Sequence, residues 1–237
     1  MRRVQGWRIH LMALGGVAVV LSLGLLGMWQ VAEDVRTEQP QASATVGELH
    51  GPATAGQTFV AEYPGLSRVE IRLATYARRN TGSLVFHLRA APDAAEDLVA
   101  LTFDAAEVED NAYQIFEFPP IRDSAGRALY FYLEAPEAKP GNGITVWGAT
   151  EDAYPDGEAV LRGLKGHDVQ DLAFRLGYDP PLAGRASIFM DRLTANKPLV
   201  WGDRWLYVSL AVAYLALLYA LLVQMVRTGS SERGEGA

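Results

Sequence analysis

The chain has 237 residues, no cysteine and a formal net charge of −7. The lack of cysteine excludes disulfides, thiolate metal sites and thiol nucleophiles, and the acidic balance argues against a nucleic-acid-binding protein, which needs a basic surface for phosphates. Two apolar segments flank a polar middle of roughly 150 residues, which is long enough for one globular core.

The N-terminal segment has the features of a membrane anchor. Residues 1–10 carry three arginines and no acid, and about 20 of the residues at 11–31 are apolar or small. A run of about 20 such residues has the length needed to cross a bilayer as a helix. We therefore predict a first transmembrane helix at 11–31. The basic start predicts a cytoplasmic N-terminus at 1–10, so the residues after the first helix are expected on the opposite, outer side of the membrane.

A cleaved signal peptide is the alternative for this segment. Cleavage requires small residues close behind the apolar run. Trp29, Gln30 and Val31 stand there instead, and the run is long for a signal peptide. These features favour an uncleaved anchor.

Residues 32–56 are polar without a clear period, which predicts a linker or an irregular first strand. Residues 57–179 then alternate apolar and polar side chains, as in Leu84, Phe86 and Leu88 with polar or smaller neighbours between them. This period of two, with turn residues every 8–12 positions, predicts an all-β sandwich outside the cytoplasm. It has about nine antiparallel strands, at 57–63, 66–76, 82–90, 98–103, 113–118, 127–136, 144–149, 158–162 and 171–178. Pro119 and Pro120 are expected to end the fifth.

The C-terminal part mirrors the N-terminal anchor. Residues 180–204 predict a linker with a short amphipathic helix at 184–196, which lies either at the membrane interface or against the sandwich. Residues 205–226 predict a second transmembrane helix, with aromatic residues at its outer end: Trp201, Trp205 and Tyr207. Residues 227–237 then form a cytoplasmic tail. Both termini are predicted inside, and the lipid bilayer is the first partner.

Small residues in the first span indicate a second partner. Gly15, Gly16, Gly24 and Gly27 leave room for another helix to approach closely. Packing between the two spans, or against another integral membrane protein, is therefore expected. In the spans no acidic or basic residue lies at the middle of the bilayer, which argues against transport or proton relay.

The ligand candidates are aromatic and basic. The rings of Tyr76, Tyr130, Tyr132 and Trp147 can stack on a sugar, or they can be covered because both faces of a central strand are buried. Two arginines before Asn80 can bind a carboxylate or phosphate, or can be solvated and paired with nearby acids; they are Arg78 and Arg79.

One acidic loop is a candidate for structural calcium, because hard cations take several oxygen ligands from flexible loops. Its alternative is a solvated loop, since the EF-hand spacing is absent. The four acids are Glu151, Asp152, Asp156 and Glu158. No other cofactor is predicted. The chain has no Gly-x-Ser-x-Gly, His-Glu-x-x-His or phosphate-cradling motif, which favours a protein that is not an enzyme.

The strand order resembles a galactose-binding-like jelly roll over residues 57–178. Residues 57–59 open this region with QTF and residues 171–174 close it with DLAF. Residues 73–82 and 154–157 are similar to stretches of uncharacterised bacterial two-span membrane proteins that carry such a sandwich. The resemblance implies ligands at the loops of one end and a structural calcium ion.

Together these features predict a membrane-anchored, non-enzymatic binding or docking module for a glycan or a partner protein. The alternative is an accessory structural subunit of a larger membrane complex. A surface hydrolase is the weaker alternative, because the sequence offers it no recognisable motif.

Overall fold

The structure, a computed structural model, describes residues 2–32, 36–164 and 168–232. The chain divides into two compact units. The β unit comprises Val35–Gly184, and the helical unit comprises Met1–Asp34 with Arg185–Ala237.

The β unit is a sandwich of two sheets, and every strand pairing in it is antiparallel. The five-stranded sheet has the order β10-β3-β8-β5-β6, and the seven-stranded sheet follows β1-β12-β4-β9-β11, with β2 on β9 and β7 on β4. This confirms the predicted all-β sandwich. The strands are β1 (Arg36–Gln39), β2 (Ala44–Thr45), β3 (Thr54–Val60), β4 (Leu66–Ala74), β5 (Ser83–Arg89), β6 (Val99–Asp104), β7 (Ala112–Ile121), β8 (Ala128–Glu134), β9 (Thr145–Ala149), β10 (Ala159–Arg162), β11 (Asp171–Leu172) and β12 (Phe174–Tyr178).

The core lies between the two sheets and is built around phenylalanine rings. Phe86 of the five-stranded sheet stacks on Phe116 of the seven-stranded sheet, with ring centroids 4.5 Å apart. Phe131 and Phe174 make a second contact across the sheets at 5.6 Å, edge to face. All four side chains are fully buried. The period of two therefore points large apolar groups inward from both sheets.

Two features differ from the sequence prediction. Strands β1 and β2 lie in the segment predicted as a linker or an irregular first strand, where they pair with β12 and β9. Strand β7 does not end before Pro119 and Pro120 but continues to Ile121. Within the described ranges of the chain, strand β7 pairs with β4 alone, and its register shifts between Leu66 and Arg68. Proline is tolerated at such an edge and at a bulge, because no ladder hydrogen bond to a second neighbour is lost.

A buried polar bridge joins the sheets. The Gln57 side chain on β3 donates to Asp171 Oδ1 at 2.9 Å and accepts from the Leu172 backbone N–H at 2.8 Å. Asp171 Oδ2 accepts from the backbone N–H groups of Ala153 and Tyr154 at 2.9 and 3.0 Å. The buried Asp171 carboxylate thus meets three donors, which offset its loss of water.

The helical unit contains α1 (Arg2–Ala32) and α3 (Arg204–Glu232), and α2 (Leu182–Thr194) begins in the β unit and ends in the helical unit. Short 3-10 turns occur at Ala105–Glu107 and Leu199–Gly202. Helix α2 confirms the predicted amphipathic helix. Its Arg185 and Ile188 are buried, so protein covers part of its surface.

In the described part of the chain, one helical segment is long and apolar enough to cross a membrane, Arg204–Met225. Helix α1 carries the shorter apolar segment His10–Gly24, so the first span at 11–31 stays a prediction. The two helices touch where a Cβ added at Gly16 would meet Leu222 within 2.7 Å. The other three glycines named above face open space. Helix α3 continues into the predicted tail at 227–237, of which residues 233–237 lie outside the described residues.

We expect Asp171→Ala to lower the free energy of unfolding of the β unit by about 3 kcal/mol, because three buried donors lose a charged acceptor. For a domain of this size the melting temperature should fall by roughly 6–12 °C. Thermal unfolding of the full-length chain, followed by near-ultraviolet circular dichroism, measures this. Asp168→Ala, at an exposed acid, is the matched control. Equal melting temperatures for the two variants would contradict the structural role of the bridge.

Candidate functional site

The outer face of the five-stranded sheet carries a dense group of polar and aromatic side chains. Strand β8 runs through the middle of this sheet. Its Leu129, Phe131 and Leu133 point into the core, so Tyr130 and Tyr132 stand on the outer face. Both tyrosines are nevertheless buried, with 2% and 8% of their surface exposed. Neighbouring groups on the outer face of the sheet therefore cover the two tyrosines.

A glycine lets the Tyr130 ring lie down on the sheet. Gly56 on β3 pairs with Tyr132 in the register. A Cβ added at Gly56 would fall 2.4 Å from the Tyr130 hydroxyl oxygen and 2.6 Å from Cε2 of the same ring. The ring therefore occupies the space that a side chain at position 56 would need. Strands β3 and β8 together produce a flat aromatic floor.

The Tyr132 ring lies in a stack of planar groups. The His87 ring lies parallel to it at 4.3 Å, the Tyr130 ring lies at 5.6 Å, and the Arg89 guanidinium sits 4.9 Å from its centroid. His87 and Arg89 come from β5, which pairs with β8 so that His87 faces Tyr132. Cross-strand pairing thus assembles the stack from residues more than 40 positions apart in sequence.

Asp97 anchors the stack through ionic hydrogen bonds. Its carboxylate accepts from Arg89 Nε and is bonded to His87 Nδ1 at 2.8 Å, and Arg89 Nη2 donates to the Tyr132 hydroxyl at 2.8 Å. Burial alone would raise the pKa of Asp97, but the hydrogen bonds from Arg89 and His87 outweigh it and lower that pKa. The hydrogen bond to Asp97 raises the pKa of Arg89, and burial raises the pKa of both tyrosines.

A cleft of about 170 Å³ opens beside the tyrosine rings. Arg162, at the end of β10, reaches across to the Pro92 carbonyl, with Nη2 to oxygen at 3.4 Å. Glu134 lies 3.5 Å from His87 Nε2, although this contact lacks the geometry of a hydrogen bond. The cleft combines hydroxyl, carboxylate, guanidinium and aromatic groups, and its lining is Thr54, Arg89, Pro92, Tyr130, Tyr132, Glu134 and Arg162.

Arg78 lies elsewhere, at the loops of one end of the sandwich, and is fully engaged within the protein. Its Nη2 meets Glu48 at 2.7 Å, and its Nη1 donates to the Gly141 carbonyl at 2.8 Å. The guanidinium also sits 4.8 Å from the centroid of the Tyr76 ring. Burial would raise the pKa of Glu48, but the hydrogen bonds from Arg78 and Gly141 N–H lower it. Arg78 therefore joins three chain segments, whereas Arg79 is exposed.

Tyr76 projects from a strained turn at this loop end. Tyr76 and Ala77 both have left-handed backbone angles, with φ of 57° and 56°, a region that costs of order 1–3 kcal/mol for such residues. Asp110 stabilises the turn by accepting the Thr75 backbone N–H at 2.6 Å, and this bond lowers the pKa of Asp110. Tyr76 is 45% exposed. Next to Asp110, Asn111 accepts from the indole of the half-buried Trp147 at 2.8 Å.

Of the four acids proposed for calcium, Asp152 and Glu158 line one depression together with Asp171. All four acids are exposed. Asp171 is already occupied by the bridge to Gln57. Within residues 2–32, 36–164 and 168–232, no group of three acidic or histidine side chains is arranged to hold a metal ion. The loop instead approaches β3, since a Cβ at Gly157 would overlap the Thr58 carbonyl.

Sequence reasoning identified two residues of the cleft, Tyr130 and Tyr132, and missed the charged ones. Arg89 and His87 carried a signal, because they alternate with core residues on β5. Arg162 and Thr54 carried none, because each stands at a strand end and meets the cleft only through the pairing of β10 with β3 and of β3 with β8.

Comparisons with known proteins give little more. No family model and no curated protein matches the chain. Similar solved structures include the carbohydrate-binding module CBM36 in complex with calcium and xylotriose, at 10% identity and a TM-score of 0.25, covering 54% of this chain and 99% of that one. A family two carbohydrate esterase from Cellvibrio japonicus is 12% identical with a TM-score of 0.22, covering 55% of this chain and 34% of that one. These TM-scores are too low to carry a functional argument.

The lowered pKa of Asp97 predicts an acid-sensitive stack. The stabilisation by Asp97 is present above the unfolded-state pKa of about 3.9 and is lost as the pH falls through the lower folded-state value. Asp97→Asn should therefore be less stable than wild type near neutral pH, and the difference should shrink as the pH falls toward about 3. Urea unfolding at several pH values measures it, with the exposed Asp93→Asn in the same loop as control. A difference that does not change with pH would refute this account.

Proposed function

We propose that the chain is a membrane-anchored, non-enzymatic module whose β unit binds a sugar residue in the cleft beside Tyr130. One observation carries this proposal: hydroxyl, carboxylate and guanidinium groups converge on a small cleft with an aromatic floor. Sugars present hydroxyls that both donate and accept, and planar charged side chains such as Glu134 and Arg162 match them with directional hydrogen bonds.

The size and walls of the cleft agree with a small polar ligand. Its volume of about 170 Å³ is below the roughly 300–1,000 Å³ of pockets for drug-sized ligands. It therefore suits one sugar residue, as at the end of a longer glycan. The tyrosine rings form the floor rather than an exposed platform, so C–H groups of the sugar would contact ring edges while its hydroxyls meet Thr54 and Glu134.

The number of acidic side chains in the cleft favours sugar binding over hydrolysis of a glycosidic bond. Cleavage of a glycosidic bond uses two carboxyl groups on either side of the bond. Among the described residues that line the cleft, Glu134 is the single acid. The weaker alternative of a surface hydrolase would require a second acid from another part of the molecule.

A phenylalanine substitution tests the position of this site. Tyr130→Phe removes one hydroxyl and keeps the ring on the floor, so glycan affinity should fall by about three- to tenfold, the value of one neutral hydrogen bond. The glycan is first selected on an array with the full chain in mild detergent and then titrated by calorimetry. Tyr113→Phe, on the other sheet, should bind like wild type. Loss of binding in Tyr76→Ala with none in Tyr130→Phe would move the site to the loop end.

We further propose that the helical unit anchors the chain, with both termini in the cytoplasm and the β unit outside. The segment Arg204–Met225 supports this, and exposed aromatic groups precede it, as at membrane interfaces: Trp201 and Trp205. The apolar surface of α1 and α3 is largely exposed in the described residues. That surface would equally suit a partner membrane protein, which is the observation in favour of the accessory-subunit alternative.

Protease accessibility tests the anchoring. In sealed cells that express the chain, external protease should digest the β unit, and the chain should stay in the membrane after an alkaline wash. Digestion from the cytoplasmic side alone would reverse the proposed orientation, and release by the wash would remove the anchor. Extraction in gentle detergent then separates the two roles, because an accessory subunit should co-purify with a second membrane protein in constant ratio.

A further inference from the structure

We infer that the sugar bound in the cleft carries a carboxylate, as a uronic acid does, and that Arg162 is the residue that binds it. This inference rests on the proposed sugar-binding function and adds the class of ligand. Three observations carry it: the weak hydrogen bonding of the Arg162 guanidinium, the availability of the Tyr130 hydroxyl as a donor, and the charges around these two groups.

The Arg162 guanidinium is held weakly. Its hydrogen bond from Nη2 to the Pro92 carbonyl is 3.4 Å long, whereas typical N–H···O bonds measure about 2.9–3.0 Å. Among the described residues Arg162 forms no salt bridge. Arg78, Arg89 and Arg175 each lie close to a carboxylate, whereas Arg162 shares the lack of a salt bridge with exposed arginines such as Arg79 and Arg122 but lines a cleft. In an acidic chain, an arginine without such a neighbour is available for an acidic ligand.

The two arginines of the cleft have different roles. Arg89 is committed to Asp97 and to the Tyr132 hydroxyl, so it fixes the floor. Arg162 approaches from the opposite edge of the sheet, since β10 and β6 are the outer strands and β5 lies next to β6. Its planar fork can form two parallel hydrogen bonds with one carboxylate, an arrangement that a neutral sugar cannot offer.

Tyr130 supplies a second donor. Among the described residues its hydroxyl makes no hydrogen bond, and its oxygen is not one of the fully buried polar atoms, so it reaches the cleft that the ring lines. The hydroxyl is therefore open to an acceptor on a ligand in the cleft. A ligand carboxylate that replaces the Pro92 carbonyl as the acceptor for Arg162 can also accept a hydrogen bond from this hydroxyl. Ligand binding would then give Arg162 a closer partner than the Pro92 carbonyl at 3.4 Å and engage the Tyr130 hydroxyl as a second donor.

Glu134 favours a carboxylate over a phosphate. It stands on the same cross-strand row as Arg162, with Thr54 between them. A phosphate with nearly two negative charges would be repelled more strongly by this carboxylate than a singly charged uronate. Glu134 and Thr54 are also placed to pair with sugar hydroxyls, which a free carboxylate without a ring lacks.

Methyl esterification gives a test that removes the charge of the ligand and adds only a methyl group. The full chain in detergent is titrated with an oligogalacturonide and with the fully methyl-esterified form of the same oligosaccharide. Wild type should bind the acid at least about tenfold more tightly, as expected for a charge-assisted pair. Arg162→Gln should lose that preference and bind the ester within about twofold of wild type. Arg122→Gln, at an exposed arginine of a turn, should keep the preference.

Each result decides between defined possibilities. Equal binding of acid and ester by wild type, or a preference that survives in Arg162→Gln, would overturn the acidic specificity and leave sugar binding intact. If wild type binds neither oligosaccharide and no glycan on the array, the proposed function itself is overturned. Melting curves of the two arginine variants confirm that a lost preference reflects the cleft and not unfolding.

Discussion

The buried bridge between Gln57 and Asp171 is the constraint on which the rest of the β unit depends. It joins β3 of one sheet to β11 of the other inside an apolar core, where an unpaired carboxylate would be strongly unfavourable. Asp171 also holds the backbone after residue 152, and from there the chain passes under the Thr58 carbonyl and enters β10. Since β10 ends at Arg162, the position of the key cleft arginine follows from a polar contact in the core.

The cleft exists because planar side chains, and not a helix or a further sheet, cover the outer face of the five-stranded sheet. Gly56 removes one side chain, the Tyr130 ring fills the gap, and His87 and Arg89 stack over Tyr132. These groups bury one another but leave hydrogen-bonding atoms at the edge of the stack. An antiparallel sheet with one solvated face has few ways to present buried polar atoms, and this stack is one of them.

The sequence predicted the strands well because alternation is a local property. Leu84, Phe86 and Leu88 identify the core face of β5 from three residues. The cleft was predictable only in part, because the same alternation left open whether Tyr130 and Tyr132 were exposed or covered, and the answer depends on a glycine in another strand. Strands β1 and β2 are too short to show a period, and their pairing with β12 and β9 defines them. Structural calcium at the acidic loop stays a prediction, because in the described residues two of its acids line one depression but no group of three acids or histidines is arranged for a metal ion.

The loop end and the cleft differ in how completely their polar groups are satisfied. At the loop end Arg78, Asp110 and Asn142 bond to neighbouring backbone, and the strained turn at Tyr76 is held by these contacts. At the cleft, Arg162 and the Tyr130 hydroxyl have no comparable partners among the residues that the structure describes. Charge is also local, since interactions between exposed groups are screened beyond about 8 Å at physiological salt. A ligand in the cleft therefore experiences Arg162, Arg89 and Glu134 rather than the net charge of −7, which is why an acidic chain can hold a site for an acidic sugar.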